Sequence, residues 1–390
     1  MKRYSNKIYI DNLGFANRGD QLMIQAVLEQ IRSRCLDAQI LVRADVFMQN
    51  PTYCMHNRLY PLSYRPTNLL GNVIKNSNIY AKIVNFLLRD GWVNRPQDVD
   101  VILDCRGYHL TDSWIKDESY ATNLSNYYSL FCKKGRKMIM LPQAFGPFTN
   151  EASKRAMEVV FRQADIVYAR ERQSYDYLQD LFGESDKIDI VPDFTCLCAD
   201  EKCPSIRLPK KEYVLIIPNA RMVDYTDDNV SSSYIEFLIK IVRFLVNTGE
   251  TVYLLNHEGE RDEQLLYKVN EQFNGRLPIL TNLSGSEIRL LIKDCKLLIS
   301  ARYHGVVSGL TQGVPTLCTS WSHKYAELLC EHGCENNMLD VSNEDAALET
   351  IKMAIINPKD FSSKIGCEEW VENKVKKMWT RIFKYINSVE

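Results

Sequence analysis

The sequence predicts an α/β protein made of two Rossmann-like doubly wound domains. Short runs rich in Val, Ile and Leu, such as residues 213–217 and 297–300, alternate with longer stretches of helical periodicity. These runs lack the apolar–polar alternation of a half-exposed strand, which is typical of parallel strands covered by helices on both faces. The chain has 390 residues, too many for one ordinary core and enough for two domains of about 150 to 200 residues each.

The domain boundaries follow from local composition. Residues 199–211 are polar, contain two prolines and lack periodicity, so they predict a linker. This linker separates an N-terminal domain, residues 1–198, from a C-terminal domain, residues 212–365. Residues 366–390 are expected to form a final helix, because apolar side chains recur there at steps of three and four residues.

The overall composition argues against two broad classes of function. The 48 basic and 49 acidic residues give a net charge of -1, so no global electrostatic field favours nucleic acid. No window approaches the roughly 20 apolar residues that span a bilayer, and the N-terminus has no apolar run of secretory length. We therefore expect a cytoplasmic protein. Residues 69–93 mix basic, aromatic and apolar side chains, and predict either an ordinary packing helix or a peripheral contact with the inner face of the cell membrane.

The 12 cysteines are scattered along the chain and are expected to be reduced thiols. Cys196, Cys198 and Cys203 form one cluster. Zinc sites normally pair such a cluster with a second group of Cys or His, and the sequence offers none. We therefore expect no metal site.

Polar side chains follow two predicted strands within residues 296–329. Arg302 and His304 come after the first strand, and His323 and Lys324 come after the second. In an open α/β sheet, ligands bind outside the carboxyl ends of the strands. These four side chains are therefore expected to line one crevice.

This set of side chains suits an anionic ligand. Arg302 can bind a carboxylate or phosphate through two parallel hydrogen bonds, and Lys324 adds a compact positive charge. Both stand at predicted helix starts, where free backbone amides favour negative charge. Arg221 follows another predicted strand and is either a further cation of this site or a surface ion-pair partner. Because the unperturbed pKa of histidine lies near neutrality, His304 is either an acid–base group or a hydrogen-bond donor to a phosphate.

The loop after the first predicted strand carries Asn17, Gly19 and Asp20. The glycine allows the backbone to approach a ligand closely, and Asp20 can cap the helix that follows. The pattern matches neither a dinucleotide fingerprint nor a Walker loop. From the residues alone, the loop is either part of a site or an ordinary strand–helix turn.

Three more polar residues follow predicted strands. Asp104 can hold a hydroxyl or orient a catalytic group, or it can be a structural carboxylate that caps its turn. Gln143 offers both donors and acceptors to sugar hydroxyls. His257 follows the strand predicted at residues 251–255 and either contacts a ligand or caps the next helix.

Several of these segments together resemble the polysaccharide pyruvyl transferase family. The most specific match is its C-terminal signature, followed by an Asn-x-Gly-Asp pattern near the N-terminus and a Gln-x-x-Gly-Pro segment between them. The matching residues are Arg302, His304, Gly305, Ser308, Gly309, Gly313, Val314, Pro315 and Lys324; Asn17, Gly19 and Asp20; and Gln143, Gly146 and Pro147. Cys105 and Arg106 depart from the family, which tends to have a glycine-rich turn there.

The resemblance implies a GT-B-like arrangement, in which two domains face each other across a cleft and the final helix crosses back to the first domain. It also implies an enzyme that moves the pyruvyl group of phosphoenolpyruvate onto a sugar of a capsule or exopolysaccharide precursor. The product is a ketal that bridges two hydroxyls, and phosphate is released. On this reading the catalytic residues are His304 and Asp104; the donor is bound by Arg302, Arg221, Lys324 and His323; and the acceptor side of the cleft has Asn17, Gly19, Asp20, Gln143 and His257.

Such a reaction breaks a carbon–oxygen bond and requires no metal or cofactor beyond the donor itself. The acceptor is a free glycan, a nucleotide sugar or a lipid-linked intermediate. Two other functions fit the same residues. One is a GT-B glycosyltransferase that uses a sugar nucleotide, and the other is a non-catalytic glycan-binding subunit.

Overall fold

The computed structural model describes residues 6–35, 37–63, 94–200 and 212–387. These residues form two units, each built on one parallel sheet with helices between the strands. The first unit comprises Met1–Phe15, Met23–Phe194 and Lys374–Glu390, and the second comprises Ala16–Leu22 and Thr195–Asn373. The predicted linker lies outside the described residues from residue 201 onward.

The first unit contains a seven-stranded sheet with the order β3-β2-β1-β4-β5-β6-β7, and all its paired strands are parallel. The strands are β1 (Lys7–Asp11), β2 (Gln39–Arg43), β3 (Leu59–Leu62), β4 (Val101–Asp104), β5 (Lys137–Gln143), β6 (Ile166–Ala169) and β7 (Ile188–Ile190). The helices that accompany them along the chain are α1 (Arg18–Arg34), α2 (Ala44–Gln49), α3 (Pro51–His56), α4 (Ser119–Ser129), α5 (Glu151–Gln163) and α6 (Arg172–Phe182).

The second unit contains a five-stranded parallel sheet with the order β10-β9-β8-β11-β12. Its strands are β8 (Tyr213–Ile217), β9 (Thr251–Leu255), β10 (Ile279–Leu280), β11 (Leu297–Ser300) and β12 (Thr316–Cys318). The later helices are α7 (Arg221–Asp224), α8 (Asp228–Asn247), α9 (Gly259–Glu271), α10 (Gly285–Asp294), α11 (Tyr303–Thr311), α12 (Lys324–Glu331), α13 (Glu344–Ile356) and α14 (Cys367–Asn387).

The central strands of the second sheet are covered on both faces. All five residues of β8 are buried. Val214 and Ile216 pack into one hydrophobic cluster, whereas Tyr213, Leu215 and Ile217 pack into another. Successive strand residues point to opposite faces, so both faces meet helices. The predicted doubly wound α/β class is confirmed.

Both sheets share a feature that locates ligand sites. In the first sheet, β2 and β3 lie on one side of β1, whereas β4 to β7 lie on its other side. In the second sheet, the same reversal of strand order falls between β8 and β11. Helices on the two sides of a reversal lie on opposite faces of the sheet, so a crevice opens at the carboxyl ends of the two strands. Ligand sites are therefore expected at these two switch points.

The described residues contain no helix that is long and apolar enough to cross a membrane. Residues 69–93, for which the sequence allows a membrane contact, lie outside the described ranges.

Candidate active site

The β8–β11 switch point carries Arg221, Arg302 and His304 of the predicted site residues. The loop after β8 leads to Arg221, the first residue of α7, and the loop after β11 carries Arg302 directly before α11. The side-chain amide of Asn219 donates a hydrogen bond to the carbonyl oxygen of Ala301 (3.0 Å), which joins the two loops. The second unit therefore holds both cations at adjacent strand ends.

Arg302 is paired inside the protein. Its guanidinium nitrogens Nη1 and Nη2 form ion pairs with Glu258 and Asp262, and the residue is only 9% exposed. Asp262 also accepts a hydrogen bond from the backbone N–H of Ala220 (2.9 Å). Burial raises the pKa of Asp262 above its ordinary value, and Arg302 opposes that rise. Because two carboxylates already balance its charge, Arg302 is better suited to fixing this loop than to holding the donor's charge alone.

Arg221 and Lys324 contact the same aromatic ring. Lys324 is the first residue of α12, and its Nζ lies 4.3 Å from the centroid of the Trp321 ring. The Arg221 Cζ lies 5.0 Å from that ring and 5.5 Å from the ring of Tyr225. Lys324 Nζ is also 5.4 Å from the ring of Tyr303. The structure therefore brings together two of the predicted donor-binding cations.

His304, the second residue of α11, packs against the first turn of α1. A Cβ atom at Gly19 would overlap the His304 Nδ1 and would lie 2.9 Å from Cε1 and 3.0 Å from Cγ. Gly19 thus lacks a side chain because an imidazole occupies that space. The N-terminal and C-terminal sequence patterns meet at this contact within the second unit.

The start of α1 corrects one prediction. The helix begins at Arg18, so Asp20 lies in its first turn and is not the capping residue. Asn17 takes that place, since its side-chain oxygen accepts a hydrogen bond from the Gly19 N–H (2.8 Å). His323 directly precedes α12, and its carbonyl accepts a hydrogen bond from the Ala326 N–H (3.0 Å).

His257 is a buried imidazole close to the same charges. Burial is the main cause that lowers its pKa well below the ordinary value, and the charges of Arg302, His304 and Arg18 lower it further. At neutral pH its ring is therefore uncharged. Its Nδ1 is buried and has no hydrogen-bond partner among the residues that the structure describes.

The switch point of the first unit, between β1 and β4, is filled by the protein itself. The Asp104 carboxylate is 0% exposed and accepts hydrogen bonds from Arg106 Nε (2.9 Å) and Asn12 Nδ2 (3.1 Å). Arg106 Nη2 donates to the Tyr128 hydroxyl (2.7 Å). This geometry supports the structural alternative for Asp104, a carboxylate that holds its turn, and we assign it no contact with substrate. Arg106 occupies the space that a glycine-rich turn would leave open.

Asp11, at the end of β1, is a buried group that the sequence interpretation missed. It accepts a hydrogen bond from the Tyr9 hydroxyl (2.8 Å), and burial together with the Asp104 charge raises its pKa. The strand-end position of Asp11 was visible in the sequence, but its proximity to Asp104 depends on the pairing of β1 with β4.

Gln143 lies where the pairing of β5 with β6 shifts register, between Met140 and Gln143. Such a β-bulge re-aims the side chains that follow it. The Gln143 side chain is 1% exposed, and neither amide atom has a hydrogen-bond partner among the described residues. Its predicted role toward an acceptor remains a prediction.

Within the described ranges, no group of three or more His, Cys, Asp and Glu side chains could hold a metal ion. Cys196 and Cys198 are buried and form no disulfide, and Cys203 lies outside the described residues.

The two parallel sheets with helices between their strands define an α/β protein of GT-B-like fold. The family model of the polysaccharide pyruvyl transferases matches residues 17–323, which is most of the chain, and the chain belongs to that family. Membership gives it the role of a transferase in polysaccharide pyruvylation. No curated protein matches the sequence.

Solved structures with a similar fold have low sequence identity to the chain. The UDP-GlcNAc 2-epimerase from Methanocaldococcus jannaschii has a TM-score of 0.61 at 12% identity and covers 97% of this chain and 99% of its own. Anabaena Alr3699/HepE, solved with UDP and glucose, has a TM-score of 0.59 at 12% identity and covers 98% and 100%. S. aureus MnaA, solved with UDP, has a TM-score of 0.59 at 12% identity and covers 98% of both chains. At this identity they establish the fold alone.

We predict that Gly19→Ala displaces the His304 ring and destabilises the protein by about 1 to 3 kcal/mol, the usual range for overpacking. Thermal or denaturant unfolding of four chains measures this: the parent, Gly19→Ala, His304→Ala and the double variant. In the His304→Ala background, the added methyl group should be tolerated because the imidazole is gone. Equal destabilisation in both backgrounds would show that the Gly19–His304 contact is not the reason for the glycine.

Proposed function

We propose that this protein transfers the pyruvyl group of phosphoenolpyruvate to a sugar of a capsule or exopolysaccharide precursor. The observation that supports this most strongly is the placement of Arg221 and Lys324 on one ring, beside the loop that carries His304. Phosphoenolpyruvate is a small molecule with two anionic groups, a carboxylate and a phosphate. Two cations from the ends of the strands on either side of β11 match that charge distribution.

The charges of the site suggest different roles for its three cations. In this proposal Arg221 and Lys324 bind the donor's anionic groups and stabilise the departing phosphate, where negative charge accumulates in the transition state. Arg302 stays with Glu258 and Asp262 and keeps the loop before α11 in place.

The proposed reaction forms two carbon–oxygen bonds at one carbon. Protonation of the donor's methylene carbon makes the adjacent carbon electrophilic, and a sugar hydroxyl attacks it. The bond from that carbon to the phosphate oxygen then breaks, and a second hydroxyl of the same sugar closes the ketal. Of the two hydroxyl protons, one balances the proton added to the methyl carbon and the other leaves with phosphate. No further reactant is needed.

His304 is the proposed acid–base group. It is the second residue of α11, and its ring centroid lies 5.6 Å from that of Tyr303, whose ring also contacts Lys324. A hydrogen bond from His304 to the phosphate is the other role open to it. His257 is uncharged at neutral pH and is buried, so it is less suited to deliver a proton.

We predict that phosphoenolpyruvate raises the melting temperature of the protein. A ligand at one hundred times its Kd stabilises the folded state by about 2.7 kcal/mol, which corresponds to a shift of several degrees. UDP-glucose serves as the matched test of the alternative, a glycosyltransferase that uses a sugar nucleotide. A shift with UDP-glucose and none with phosphoenolpyruvate would contradict the proposed donor.

We also predict that His304→Ala lowers pyruvyl transfer by about 10²- to 10⁴-fold, the usual contribution of acid–base catalysis. Phosphate release from phosphoenolpyruvate in the presence of a polysaccharide precursor measures turnover. His56→Ala, at an exposed position of α3, is the control and should match the parent chain. If His304→Ala retained normal turnover with intact folding, His304 would have no part in the chemistry.

A further inference from the structure

Trp321 links the two cations of the proposed donor site. Arg221 follows β8 and Lys324 follows β12, and in the sheet these two strands flank β11. The loop after β12 places the indole of Trp321 5.0 Å from the Arg221 Cζ and 4.3 Å from the Lys324 Nζ. One aromatic ring thus contacts positive charges from the strands on either side of the His304 loop.

The indole is itself fixed to that loop by hydrogen bonds. Trp321 Nε1 donates to the hydroxyl of Tyr325 (3.1 Å), and this hydroxyl donates to the carbonyl oxygen of Ala301 (2.7 Å). Ala301 directly precedes Arg302 and also accepts the hydrogen bond from Asn219. The orientation of the ring is therefore coupled to the backbone that positions Arg302 and, two residues later, His304.

The indole ring of Trp321 can attract both cations at once. A cation over an indole face is attracted to it, more strongly when the contact is desolvated. Lys324 is only 6% exposed, and its Nζ also lies 5.4 Å from the centroid of the Tyr303 ring. Two like charges also repel each other. A ring that attracts both can hold them at a fixed spacing before any ligand arrives.

We propose that Trp321 is a positioning residue that holds Arg221 and Lys324 as a matched pair, and so selects a donor with two anionic groups over one with a single anionic group. This inference rests on the proposed function, because it names the feature that would recognise phosphoenolpyruvate. The cations contact the ligand, and Trp321 acts through them. Tyr225, which is 52% exposed and lies 5.9 Å from Trp321 between ring centroids, supports the Arg221 side of the pair.

The test compares the affinities of two anions by titration calorimetry. Phosphoenolpyruvate carries two anionic groups, and inorganic phosphate is a probe with one. In Trp321→Leu we expect the Kd for phosphoenolpyruvate to rise about tenfold or more, which corresponds to loss of one to two cation–π contacts. The Kd for phosphate should rise by less than about threefold, because a single cation suffices to bind it. Trp370→Leu, at an exposed position of α14, is the control and should leave both affinities unchanged.

The Trp321→Phe variant distinguishes a loss of cation positioning from a folding defect. Phenylalanine keeps an aromatic face with a weaker attraction for cations, so its Kd for phosphoenolpyruvate should fall between those of the parent and of Trp321→Leu. The KM for phosphoenolpyruvate should rise in the same order, with a smaller change in kcat, because His304 is untouched.

Each outcome has a definite meaning. If the parent protein does not bind phosphoenolpyruvate, the proposed function is wrong. A second outcome is that the parent binds phosphoenolpyruvate while Trp321→Leu has the same affinities as Trp370→Leu, or binds both anions more weakly by the same factor. In either case phosphoenolpyruvate is kept as the donor, and the positioning role of Trp321 is overturned. A loss of melting temperature in Trp321→Phe with unchanged discrimination between the two anions would likewise assign Trp321 to folding alone.

Discussion

The ion pairs of Arg302 with Glu258 and Asp262 are the interaction on which the account of this site depends. A buried guanidinium is costly unless carboxylates and hydrogen bonds compensate its charge. Here α9 provides Asp262, and the residue before α9 provides Glu258. The triplet joins the loop after β9 to the loop after β11 and leaves Arg302 largely neutralised. In the proposed function, the positive charge offered to a ligand comes from Arg221 and Lys324.

The two sheets use the same topology in different ways. At the β1–β4 switch point, Arg106, Asp104 and the Tyr128 hydroxyl fill the crevice with a buried polar network. At the β8–β11 switch point, Arg221 and Tyr225 retain exposed surface. Arg106, at the place where the resemblance to the family implies a glycine-rich turn, donates hydrogen bonds to both Asp104 and Tyr128. Of the cations described near the β8–β11 switch point, Arg221 is half-buried, whereas Arg302 and Lys324 are only 9% and 6% exposed.

Much of the fold was predictable from the sequence, because buried parallel strands are continuous apolar runs. The strands at residues 7–11, 213–217, 251–255 and 297–300 match the predicted limits. The apolar pattern of the sequence predicts a helix near residues 234–247. The helix in fact begins earlier, at Asp228, because the Asp227 side chain caps it by accepting hydrogen bonds from the N–H groups of Asn229 and Val230. Strands β2, β3 and β10 were not predicted. Leu59–Leu62 contains a proline, and Ile279–Leu280 has only two residues, so neither gives a clear strand pattern.

The site was predictable as a list of residues but not as a set of contacts. The carboxylates that pair with Arg302 lie 40 and 44 residues before it in the chain, and no local pattern indicates that they meet. The sequence leaves two roles open for the Gly19 loop, part of a site or an ordinary strand–helix turn, and neither indicates that the His304 imidazole packs against Gly19. Trp321 gave no signal in the sequence, since a single aromatic residue before a helix is common. These contacts depend on the order of strands in the sheet.

The most direct test of the central claim is a crystal structure of the protein with bound phosphoenolpyruvate. We expect the donor's carboxylate and phosphate to lie within hydrogen-bond distance of Arg221 and Lys324, with Arg302 still paired with Glu258 and Asp262. A donor bound away from the β8–β11 switch point, or one that draws Arg302 out of its carboxylate pairs while leaving Arg221 and Lys324 without contact, would contradict this account.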